Sequence, residues 1–156
     1  MMTQHEELLL KLLQTEWQLL DASVETLLHS VEKCKFIGIK SEYSFEEQES
    51  FDSLTSKFNR TSDLFTQKIL RTIWILLHEP FAPFIDRMNL CEKTGILRSA
   101  DQMIGIRDMR NQIAHEYIPE ALRELVPEVI ELTQQLVENI HCTLEFLEKR
   151  NWTIGN

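Results

Sequence analysis

The sequence predicts an all-α protein, most simply an antiparallel four-helix up-and-down bundle with an additional short helix. Three observations predict it. Apolar residues recur at three- and four-residue spacing along most of the chain. Only four Gly and four Pro occur in 156 residues, and they fall at a handful of places. No alternating run is long enough for a useful strand. Long helices joined by short connections pack antiparallel, and 156 residues suffice for one core, so residues 1–156 form a single domain.

The first helix is expected over about residues 4 to 36, where Leu8, Leu9, Leu12, Leu13, Leu20, Val24, Leu27, Leu28 and Val31 mark one broad face. Gly38 ends it. Ser44-Phe45-Glu46-Glu47 fits a capping box and starts a second helix that runs to about His78 through Phe51, Leu54, Phe58, Phe65, Ile69, Ile73 and Leu76. Pro80 and Pro83 stop that helix. A shorter helix fits about residues 83 to 93, ending near Gly95. Ser99 is placed to cap a helix over about 100 to 117, and Pro119 prevents it from continuing. The last helix runs from about Val126, with Pro127 in its first turn, to about Arg150. Its seam is Leu125, Val129, Leu132, Leu136, Ile140, Leu144 and Leu147.

Charge and cysteine usage narrow the function classes. The net charge of −9 opposes tight, sequence-independent binding to nucleic acid or to anionic membranes. Cys34, Cys91 and Cys142 are odd in number and widely spaced, as expected for reduced thiols rather than a disulfide framework or a CxxC metal site. The start Met1-Met2-Thr3-Gln4-His5-Glu6-Glu7 has acids where a signal peptide carries bases. No apolar run approaches the ~20 residues of a membrane span. The expectation is a cytoplasmic protein. His5, His29, His78 and His141 lack neighbours at metal-ligand spacing, and no Gly-rich phosphate loop or nucleophile elbow is present, so neither a metal nor a cofactor is expected.

The most informative stretch is Arg110-Asn111-Gln112-Ile113-Ala114-His115-Glu116-Tyr117. It joins a permanent cation, a group titrating near neutrality and a phenol, which suits cleavage of RNA phosphodiesters. An Arg-x4-His pair arises by chance about 0.3 times in such a chain; requiring the Asn and the Tyr lowers this to on the order of 10⁻⁴. At 100° per residue, Arg110 and His115 lie about 140° apart on a regular helix, so one straight helix cannot aim both at one phosphate. Either the helix unwinds near His115, or two chains contribute to one site across a twofold axis. Taken singly, each residue has a plainer role: an Arg beside an apolar stripe pairs with a carboxylate, and a His near a helix end caps it.

This octet resembles the Arg-x4-His-x-Tyr signature of the HEPN superfamily, and most closely its HepT-like toxins. A fainter match with HepT-like and nucleotidyltransferase substrate-binding-like proteins runs back through Leu54-Thr55-Ser56-Lys57-Phe58-Asn59-Arg60 and Arg87-Met88-Asn89-Leu90-Cys91-Glu92-Lys93-Thr94-Gly95-Ile96. The resemblance implies a homodimer with both copies of the motif in one cleft. It also implies a minimal nucleotidyltransferase as antitoxin, RNA as substrate, Arg110 and His115 as the cleaving residues with Asn111 in support, and Tyr117 as the residue that the partner modifies.

The implied activity is metal-independent endoribonuclease chemistry. The ribose 2′-OH attacks phosphorus, leaving a 2′,3′-cyclic phosphate and a free 5′-OH. His115 is suited to move the proton and Arg110 to hold the non-bridging oxygens. Asp108 is a candidate to hold the imidazole tautomer, or simply a solvated acid. If the phenol sits about 20° from Arg110 around the helix, modification of Tyr117 blocks the phosphate position. Two other readings compete: a non-catalytic nucleotide- or substrate-binding partner of such a nucleotidyltransferase, favoured by the acidic balance, and a helical interaction protein without nucleotide chemistry. Between Glu92 and Arg123 bases and acids balance, so no local basic groove is expected.

Overall fold

A computed structural model of the protein describes residues 1–152 and shows an all-helical chain, with no strand among the described residues. α1 spans Gln4–Ile37 and α2 spans Phe45–Asp63. A π-helical segment, Leu64–Ile69, continues α2 directly into α3, Leu70–Leu76. α4 is Phe84–Lys93, α5 is Ala100–His115, α6 is Pro119–Glu124 and α7 is Val126–Lys149.

The boundaries follow from local chemistry. Thr3 and Glu6 form a capping box at the start of α1, and Ser44 and Glu47 form the expected one at α2. Hydrogen bonds to Lys40 and to the Ser44 backbone hold the Glu47 carboxyl below the usual range. Gly38 closes α1 at φ +68°, a conformation that disfavours a side chain. The Ser99 hydroxyl accepts from the Gln102 N–H and starts α5. Pro119, expected only as a barrier, also opens α6: its ring presets φ, and its missing N–H costs nothing at a helix start. The π segment has no marker in the sequence; its Phe65 and Ile69 are buried in the core.

The helices share one core. α1 packs along α2, α2 and α4 pack on α5, and α7 packs against α2 and α5. Leu13, Leu20, Leu54, Phe58, Phe65, Met103, Ile106 and Leu136 are fully buried within it. The broad face expected on α1 is only partly covered: Leu8, Leu12 and Leu28 are exposed. Polar ties cross the core. Ser23 and Thr61 hydroxyls lie 2.7 Å apart, and the Thr72 hydroxyl donates to Glu16 at 2.6 Å. Asn139 of α7 is fully buried. Its Oδ1 accepts from the Arg98 and Ser99 N–H groups, and its Nδ2 donates to Gln102 and to the Gln135 carbonyl. That one amide anchors the start of α5 on α7.

Candidate functional site

Arg110 lies on the side of α5 that faces α2. Its Nε and Nη2 each donate to one carboxylate oxygen of Asp63 at 2.9 Å, a bidentate pair with both side chains about one-third exposed (31% and 32%). This pairing raises the already high pKa of the guanidinium further. One turn before Asp63, Asn59 donates from Nδ2 to the Arg110 carbonyl oxygen at 3.3 Å. Two residues four apart on α2 therefore clamp Arg110 at its backbone and its head group. Asp63 is the last residue of α2, so the clamp sits where the π segment begins.

Beside this clamp is a cavity of about 410 Å³ between the π segment, α3, α4 and α5. Arg110 and Asn111 line it together with Lys68, Arg71, Arg87 and Arg107. Five cations face the single carboxylate of Asp63, a formal balance of +4 in a chain whose net charge is −9. The balance of bases and acids between Glu92 and Arg123 gave no expectation of a basic groove, yet Arg107 and Arg110 of that stretch line this one. The cations come from three separated parts of the sequence, and folding brings them together. Phe84 supports two of them, with its ring centroid 4.5 Å from the Arg107 guanidinium carbon and 5.9 Å from that of Arg87.

His115 is not in this cavity. α5 stays α-helical through His115, and the chain becomes extended only at Glu116 (φ −91°, ψ 117°). The unwinding comes one residue too late to swing the imidazole toward Arg110, so the angular separation of about 140° stands. His115 is exposed, and its side chain makes no hydrogen bond or ion pair within the described residues. Asp108 does not orient it; its exposed carboxylate lies 3.4 Å from Arg107.

Tyr117 departs from the expected geometry. The spacing placed its phenol on the Arg110 side of a helix running to residue 117, but α5 ends at His115 and Tyr117 lies in the extended connection. Its side chain is 86% exposed, next to the exposed Ile118. α5 ends within the expected two residues of Tyr117, ahead of Ile118, which precedes Pro119 and takes extended backbone (φ −94°, ψ 115°). The residues thus separate into two groups: Arg110 and Asn111 on the cationic cavity, and His115 and Tyr117 at the free end of α5.

A larger cleft, about 900 Å³, lies between the α1–α2 connection and the start of α7. None of the residues from Arg110 to Tyr117 lines it, and its Lys35, Lys40 and Arg123 are matched by Glu42, Glu120 and Glu124. The smaller cavity is therefore the candidate site on charge. Among the described residues, no group of three or more His, Cys, Asp or Glu converges as metal ligands, and no helix is long and apolar enough to cross a membrane. Sequence reasoning missed Asn59, Asp63, Lys68 and Arg71, which lie more than 35 residues before the octet. Compared with family models, curated proteins and solved structures, the chain matches none of them.

Proposed function

We propose that the protein is a HepT-like HEPN endoribonuclease, the cytoplasmic toxin of a pair whose antitoxin is a minimal nucleotidyltransferase. Its helices, on this reading, form an antiparallel up-and-down four-helix bundle whose long members are α1, the α2–α3 run, α5 and α7. The observation that carries the reading is the placement of Arg110 and Asn111 on a cavity with four further cations, while an unpartnered His115 ends the same helix. A regular α5 keeps the two halves of the motif apart, so a complete site needs two chains. A twofold dimer brings Arg110 of one protomer to His115 of its partner.

In that cleft, one His115 takes the 2′-OH proton as the oxygen attacks phosphorus. Water protonates the departing 5′-oxygen, which leaves a 2′,3′-cyclic phosphate, and a second His115 in the cleft speeds this step without being required for it. Arg110 offers its Nη1 edge to the non-bridging oxygens, where charge accumulates. Asp63 holds the opposite edge of the guanidinium and so acts as a positioning residue. The experiment is incubation of the purified protein with RNA in excess EDTA. Cyclic phosphate ends are expected, with loss of cleavage in Arg110→Ala and His115→Ala. Full activity of both variants contradicts the reading.

One observation favours a second reading, a non-catalytic substrate-binding partner of a nucleotidyltransferase. The phosphate-suited cavity excludes His115, and Asp63 already occupies half of the Arg110 fork. A protein of that kind is harmless when expressed alone, whereas a ribonuclease toxin arrests growth.

A further inference from the structure

The cavity beside Arg110 carries more positive charge than an Arg110–Asp63 pair requires. Lys68 and Arg71 stand exposed on its π-segment and α3 side, and Arg87 of α4 and Arg107 of α5 are half-buried across from them. The Nε atoms of Arg87 and Arg107 are buried and have no hydrogen-bond acceptor in the protein. A buried guanidinium N–H without an acceptor is unfavourable. These two atoms are closed to solvent, and what the groups lack besides an acceptor is countercharge. Arg107 has only a loose contact with the exposed Asp108, at 3.4 Å, and Arg87 has no carboxylate within ion-pair distance among the described residues. Phe84 lies under both guanidinium groups and limits their freedom to turn to solvent.

We propose that this cavity binds a terminal phosphate, a phosphomonoester or the end of a polyphosphate, with Arg87 and Arg107 as its inner ligands and Lys68 and Arg71 at its rim. Planar guanidinium forks match phosphate oxygens. Charge selects a terminal group over an internal one. With Arg110 held by Asp63, four cations remain, and a phosphomonoester brings about 1.5 to 2 negative charges at neutral pH where an internal phosphodiester brings one. The volume, about 410 Å³, lies toward the lower end of small-ligand sites and accommodates a phosphate with an attached sugar. The inference stands on the cavity's own residues and not on RNA cleavage. The phosphate comes either from a free nucleotide or polyphosphate, or from the 5′ end of a nucleic acid.

The test is isothermal titration calorimetry of the full chain with inorganic pyrophosphate and with two short deoxyoligonucleotides of one sequence, one 5′-phosphorylated and one 5′-hydroxyl. Deoxy chains lack the 2′-OH, so no cleavage intrudes and failure here leaves the ribonuclease reading untouched. At least one phosphate-ended probe is expected to saturate at one per chain, at least tenfold more tightly than the 5′-hydroxyl oligonucleotide. Arg107→Gln should weaken that binding at least tenfold. Lys68→Gln, on an exposed side chain with no packing to lose, should weaken it two- to threefold even if the arginine variant misfolds. Binding of pyrophosphate assigns the site to free phosphates, and binding of the phosphorylated oligonucleotide alone assigns it to nucleic-acid ends. No saturable binding at millimolar concentration, equal affinity for the 5′-hydroxyl oligonucleotide, or unchanged affinity in Lys68→Gln and any folded Arg107→Gln overturns the proposal.

Discussion

Asp63 holds both Nε and Nη2 of Arg110 at 2.9 Å, which joins the end of α2 to the middle of α5 and turns one edge of the guanidinium away from any ligand. Partly exposed ion pairs of this kind contribute about 1 kcal/mol even with bidentate geometry. Asp63→Ala should therefore lower the melting temperature by only about 2–4 °C. If Asp63 positions Arg110 for chemistry, the same variant should reduce RNA cleavage at least tenfold with helicity unchanged. Undiminished cleavage means that the pair serves only packing.

Asn139 offers a sharper stability test. Its amide is fully buried and satisfies two backbone N–H groups at the start of α5, while bonding Gln102 and the Gln135 carbonyl. Asn139→Ala leaves the part-buried Arg98 and Ser99 N–H groups without their acceptor and empties a fully buried position. The expected loss is about 3 kcal/mol in urea unfolding. A loss below about 1 kcal/mol shows that water replaces the amide.

The three thiols should differ in reactivity. Burial pushes Cys91 up to about 11, so at pH 8 only about one molecule in a thousand carries the thiolate. Because this pKa is raised, its alkylation should climb about tenfold per pH unit through the range where the fold survives. Burial also raises Cys142, but that residue is partly exposed. Iodoacetamide at pH 8 should label Cys142 before Cys91, as read by peptide mass spectrometry. The reverse order contradicts the packing around α4.

If a partner modifies Tyr117, as the proposed function holds, exposure rather than alignment with Arg110 presents the phenol. A phenol 86% exposed in an extended connection is open to a second protein, and Ile118 beside it adds apolar surface for contact. Co-expression with a neighbouring minimal nucleotidyltransferase should give nucleoside monophosphate adducts on Tyr117 that are absent in Tyr117→Phe. Because the phenol does not share a helix face with Arg110, the added charge need not sit on Arg110's own phosphate position. Inhibition by the partner without any adduct favours simple occlusion.

Most helix limits were legible because single residues impose them. Gly38, the Ser44–Glu47 box, Ser99 and Pro119 act through local backbone geometry, which a linear reading captures. The π segment and α6 were not legible: the first continues the apolar spacing of α2 without a break, and the second is a six-residue turn too short to show a period. The angular argument that separates Arg110 from His115 held because α5 stays regular through His115. The same argument failed at Tyr117, two residues further, where proline geometry takes over. The cationic cavity was invisible for another reason. Lys68, Arg87 and Arg107 are neighbours only after folding, and a local charge count averages them with acids that point elsewhere.

The composite site is tested most directly by mixing two variants. Arg110→Ala and His115→Ala are each expected to be inactive alone, because each removes both copies of one group from the shared cleft. After the two are mixed, unfolded and refolded together, a mixed dimer keeps one Arg110 on one chain and one His115 on the other. Recovery of RNA cleavage in the mixture, limited by the fraction of mixed dimers and seen in neither variant alone, is the predicted result. If wild type treated in the same way cleaves RNA and the refolded mixture does not, Arg110 and His115 do not act across two chains.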